Sequence, residues 1–134
     1  LLTCSKVPQP DHADHLIVLP TGPEVLTGST RMKAGTATKL ALNTISTTLM
    51  IRSGRVYQNL MVDMRASNSK LRDRAARIVS TLTGLSRPES FELLASAGDH
   101  VKVAIVMHRL GVNAGKARAL IDRADGKLGD VLRD

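Results

Sequence analysis

Gly22-Pro23-Glu24-Val25-Leu26-Thr27-Gly28-Ser29-Thr30-Arg31-Met32-Lys33-Ala34-Gly35-Thr36-Ala37-Thr38-Lys39 is the stretch on which the reading of this chain turns. Just before it, Leu16-Ile17-Val18-Leu19 is a continuous apolar run closed by Pro20, the pattern of a short buried strand. Just after it, a helix is predicted over residues 35–53. The stretch therefore joins a strand end to a helix start, the place where open α/β sheets hold ligands. Gly28 and Gly35 allow close backbone approach, Ser29, Thr30, Thr36 and Thr38 offer hydroxyls, and Arg31, Lys33 and Lys39 offer charge. The first amides of the helix add unpaired donors aimed at the same place. Together these groups suit an anionic, polyhydroxylated ligand such as a sugar phosphate. The same letters also permit Ser29 and Thr30 to cap the helix with the cations merely solvated, since no Walker-type phosphate loop is present.

Working outward, the helix predicted at 35–53 carries no charge over residues 40–51 and is apolar on most of its circumference, so it is expected to be largely buried. Leu1-Leu2-Thr3-Cys4 reads as the tail of an earlier strand, parallel to residues 16–19. Residues 56–64 read as extended or irregular. A second helix is predicted over 69–83, capped by Ser67 or Asn68 and ended by Gly84. Ser86-Arg87-Pro88-Glu89 is a capping box opening a third helix. Residues 101–107 fit a strand by their β-branched content and a helix by their spacing. Asn113 opens a further helix, Gly126 breaks it, and Leu128, Val131 and Leu132 form a last short turn. The chain is thus expected to be mostly α, with one or two residual strands.

The 134 residues include 43% hydrophobic residues but one Tyr, one Phe and no Trp, so the core must be aliphatic. The net charge of +7 is uneven: residues 31–83 hold ten basic and two acidic side chains. Such a segment can attract a phosphate, a nucleic acid or only water. With so few aromatics there is little for base stacking, and no helix-turn-helix pattern appears, so a basic nucleic-acid-binding module is the weaker alternative. The single Cys4 forms no internal disulfide, in keeping with a reducing compartment. No run reaches the roughly 18 apolar residues that span a bilayer. An opening on Leu1-Leu2 without methionine reads as part of a longer chain.

The stretch from Gly22 to Lys39 resembles the signature shared by N-acetylmuramic acid 6-phosphate etherases and the glucokinase regulatory protein. Leu42-Asn43, Tyr57-Gln58-Asn59-Leu60-Met61-Val62-Asp63, Asn68-Ser69-Lys70-Leu71, residues 101–107 and residues 117–126 are similar to the etherases as well. The resemblance implies an α/β sugar isomerase (SIS) domain, with residues 1–83 as its C-terminal part. It implies that residues 84–134 form a small helical bundle similar to a ubiquitin-associated domain, which turns 101–107 towards helix. It further implies a cytoplasmic, homodimeric lyase that cleaves the D-lactyl ether of a phosphorylated amino sugar without metal or cofactor, in cell-wall sugar recycling. The proton-moving glutamates of that family lie in its N-terminal half, so no catalytic residue is expected in this chain and it is expected to be inactive alone. Ser29, Thr30, Arg31 and Lys33 are the substrate-binding candidates. Glu24 reads as a hydrogen-bonded loop residue, Glu89 as a capping partner and Glu92 as a surface residue. A sugar-phosphate-binding regulatory protein without turnover is the other alternative.

Overall fold

The computed structural model describes residues 1–132. The chain divides into two compact units, Leu1–Thr48 and the remainder from Leu49 onward.

In the first unit, β1 (Leu2–Thr3) and β2 (Ile17–Val18) pair in parallel, Leu2 opposite Ile17 and Thr3 opposite Val18. The neighbouring backbone extends the pairing: Ile17 N–H donates to Leu1 O at 2.9 Å and Leu19 N–H to Thr3 O at 2.8 Å. Both strands were legible as apolar runs, but the expected burial of residues 16–19 is corrected: Ile17 is exposed and none of the four is buried. The 20-residue helix α1 (Lys33–Arg52) begins two residues earlier than the spacing predicts. The expectation that it is largely buried is corrected, because none of its residues is buried, and Leu40 and Leu49 are 61% and 60% exposed. Burial requires a covering layer. A helix of 20 residues is about 30 Å long, and two strands of two residues each cannot supply that layer. The uncharged run Leu40 to Ile51 therefore contributes no buried residue to the core. Among the described residues no helix is long and apolar enough to cross a membrane.

The second unit holds the core. Residues 56–64 resolve into a hairpin, β3 (Val56–Tyr57) against β4 (Leu60–Met61), turned at Gln58 with φ 53°. Among the described residues five helices follow: α2 (Ser69–Thr83), α3 (Arg87–Ser96), α4 (Val101–Leu110), α5 (Ala114–Arg123) and α6 (Leu128–Leu132). The punctuation acts as expected. Asn68 Oδ1 accepts from Leu71 N–H at 2.9 Å, and Gly84 ends α2 in the left-handed region at φ 77°. Ser86 and Glu89 form the reciprocal box at the start of α3, the Glu89 carboxylate accepting the Ser86 N–H at 2.8 Å. Asn113 caps α5 through Lys116 N–H at 2.9 Å.

Helix α4 is the centre. Six consecutive residues, Val101, Lys102, Val103, Ala104, Ile105 and Val106, are buried, because α2, α3, α5 and α6 all pack on this helix. Val62, Ala75, Val79, Leu94, Ala117 and Leu128 add to a mostly aliphatic interior that also buries Tyr57. Each fully buried Val or Leu contributes about 1.5–3 kcal/mol relative to exposure. The basic face of α2 is partly paired: Arg77 meets Asp73 at 2.9 Å and Arg72 meets Asp99 at 3.1 Å. Arg87 also pairs with Asp73 and lies over the Phe91 ring. The last two residues of the expected bundle, 133 and 134, lie outside the described residues.

Candidate functional site

The loop between β2 and α1 is built by short-range hydrogen bonds. Ser29 N–H donates to Leu26 O, Met32 N–H to Ser29 O at 3.2 Å, and Gly35 N–H to Thr30 O at 2.8 Å. This last bond winds the chain into α1. A Cβ at position 35 would lie 3.3 Å from Thr30 O, so a glycine lets the loop close against the first turn of the helix.

Glu24 organises the helix start. Its Oε2 accepts Lys33 N–H and its Oε1 accepts Ala34 N–H, both at 2.9 Å. These bonds, Ala34 first and then Lys33, hold the carboxyl below its ordinary range, with the Lys33 charge adding to them and desolvation opposing. A carboxylate kept ionised by helix amides is a poor proton donor at neutral pH. Glu24 is thus the hydrogen-bonded loop residue that the sequence suggests. A second consequence corrects the sequence reading. The first amides of α1 do not wait for a ligand, since Glu24 occupies two of them and the Thr30 carbonyl a third. An anion at this loop must meet side chains rather than the helix end.

Four side chains were expected there. Lys33 Nζ donates to Pro23 O at 3.0 Å, which folds the loop back on itself and leaves two of its three donors. Arg31 is exposed and makes no hydrogen bond or ion pair with the described residues. Glu24, the carboxylate of the same loop, is committed to the helix amides. Arg31 and Lys33 line one shallow open groove with Met32, Thr36, Ala37 and Leu40. Ser29 is half-buried and Thr30 exposed, and neither lines that groove. The structure thus brings the two cations and the Thr36 hydroxyl together, with Ser29 and Thr30 on the preceding turn. Cys4 Sγ lies 3.5 Å from both Ala34 O and Thr38 Oγ1, which ties β1 to α1.

A polar residue that the sequence reading passed over is Lys102. Its side chain is 10% exposed, with Nζ at 3.0 Å from Asp63 Oδ1 and 2.8 Å from Gly126 O. The available signal was a lysine between Val101 and Val103 inside an apolar run.

Comparison with known proteins adds two findings. The family profile described as the C-terminal lid domain of glucokinase regulatory protein matches residues 58–104. An N-acetylmuramic acid 6-phosphate etherase of Synechocystis sp. is 53% identical over 92% of this chain and 40% of its own length. Another of Synechococcus sp. (strain CC9605) is 51% identical over 98% of the chain and 42% of the relative, and one of Deinococcus radiodurans is 49% identical over 87% and 38%. The chain spans about two fifths of the length of these relatives.

Proposed function

Because the chain belongs to the N-acetylmuramic acid 6-phosphate etherase family, we propose that the whole protein is a carbon–oxygen lyase acting on N-acetylmuramic acid 6-phosphate. The observation that carries this reading is the 53% identity to a curated etherase across 92% of the chain. The reaction takes the proton next to the sugar's carbonyl carbon, expels D-lactate and adds water, leaving N-acetylglucosamine 6-phosphate. Its acid and base are glutamates in the part of the protein that precedes these residues. Residues 1–83 are the C-terminal part of a SIS domain and residues 84–134 a small ubiquitin-associated-like bundle. The protein works as a cytoplasmic homodimer, without metal or cofactor. The open apolar surface of α1 supports this assignment, since it suits a helix normally laid against a larger sheet.

In this reading Ser29, Thr30, Arg31 and Lys33 hold the phosphosugar. Arg31 has the best claim, as an exposed guanidinium with no carboxylate of its own. A charged hydrogen bond to phosphate is worth roughly 1.5–3 kcal/mol. Arg31→Ala in the full-length protein is expected to lower kcat/KM for D-lactate release by about 10–100-fold, with an unchanged melting temperature. Unchanged kinetics with a lowered melting temperature makes Arg31 structural and removes it from the site.

The match to the glucokinase regulatory protein's lid domain favours one other reading, sugar-phosphate binding without turnover. D-lactate release by the full-length protein decides against it.

A further inference from the structure

A cavity of about 580 Å³ opens beside the N-terminal end of α4. Its wall belongs entirely to the unit from Leu49 onward and shares no residue with the signature loop. Four basic side chains, Arg55, Arg65, Lys102 and Arg118, face it against two carboxylates, Asp63 and Asp122. One of those carboxylates serves two cations: Asp63 takes Lys102 at 3.0 Å and Arg55 at 3.7 Å. Arg65 has neither hydrogen bond nor ion pair for its side chain among the described residues. Arg118 spends one N–H on Ala97 O at 3.3 Å and has no carboxylate within ion-pair distance among the described residues. Lys102 uses two of its three donors, on Asp63 and Gly126 O. The lining thus carries a surplus of two positive charges, with unused donors on all three residues.

We propose that this cavity binds a phosphomonoester. A dianion balances the surplus. Arg65 and Arg118 offer planar forks that match phosphate oxygens, and the third Lys102 donor adds a charged hydrogen bond. The apolar part of the wall, Val62, Val103 and Ile121, is buried and suits the carbon body of a small ester. The volume falls in the range of small-molecule sites, roughly 300–1,000 Å³. This inference does not rest on the etherase reading, because it uses none of the residues assigned there.

The test is a titration of the 134-residue chain by two-dimensional amide NMR at constant ionic strength, with inorganic phosphate and with glycerol 3-phosphate. Both are expected to give saturable shifts at Arg65, His100, Val103 and Arg118, and the ester to bind several-fold tighter than the free ion. Arg65→Gln, which disturbs no ion pair, is expected to weaken binding about tenfold while the spectrum keeps its dispersion. Arg118→Lys is expected to retain measurable binding, and Arg65→Gln with Arg118→Gln to abolish it. Arg31→Ala is expected to leave these shifts unchanged. Shifts that do not saturate at tens of millimolar, that fall only on the signature loop, or that survive the double substitution overturn the proposal. Equal affinity for the two probes overturns the claim on the ester and leaves a site for free phosphate.

Discussion

At the scale of single residues, side chains at element ends carry more than their local letters suggest. Glu89 is held ionised by the Ser86 hydroxyl first and by the Ser86 amide second, with the His108 charge adding to both and desolvation opposing. A carboxyl whose pKa falls on folding contributes stability that is fully present above its unfolded value and lost as pH drops through the folded one. The melting temperature gap between the wild type and Glu89→Gln is therefore expected to be constant near neutrality. It should shrink below about pH 4.3, the unperturbed glutamate value, and vanish in stronger acid. A gap that widens in acid contradicts the cap. Lys102 makes a different case. Lys102→Met keeps the aliphatic stem but leaves Gly126 O and part of Asp63 without a partner. Asp63 is 41% exposed and can turn to water, so the expected cost is about 1–3 kcal/mol, read as a lower denaturation midpoint with the slope unchanged.

Between elements, a close backbone approach joins the turn after α1 to the turn before α6. Gly54 has φ 71°, and a Cβ there would fall 2.8 Å from both the carbonyl carbon and the oxygen of Gly126. Both turns are backbone, so neither can yield as a flexible side chain does. Gly54→Ala is expected to cost more than about 1 kcal/mol, because strain and overlap add to each other. Thermal unfolding checks this, and a neutral Gly54→Ala would mean that the turns separate freely. The same Gly126 carbonyl accepts from Lys102, so one buried ammonium links α4, the turn before α6 and the segment after β4.

For the whole molecule, cohesion concentrates from Leu49 onward. We propose that residues 84–134 fold as a helical unit by themselves. Residues 49–134 should be more stable, since α2 adds Ala75, Ile78 and Val79 to the same interior. Amide exchange of the two segments tests both statements: the slowest amides should lie in α4 in each, with greater protection in the longer one. Uniformly fast exchange in the shorter segment would sink the first.

Much of this was open to a reader of the letters alone. Helix ends could be read because a cap is a local event: Asn68, Ser86 with Glu89, and Asn113 satisfy amides three residues away, whatever the rest of the chain does. The apolar runs at β1 and β2 announced themselves, and the cations of the signature loop were named from composition and resemblance. Three matters depended on distance in space. Residues 101–107 read equally as strand or helix by periodicity, and four packed helices bury the first six of them as helix. Glu24 reached across nine residues to take the amides that a ligand was expected to use. The apolar helix α1 stands exposed, since burial belongs to the layer that covers a helix, and a helix's own letters specify only that such a layer is wanted.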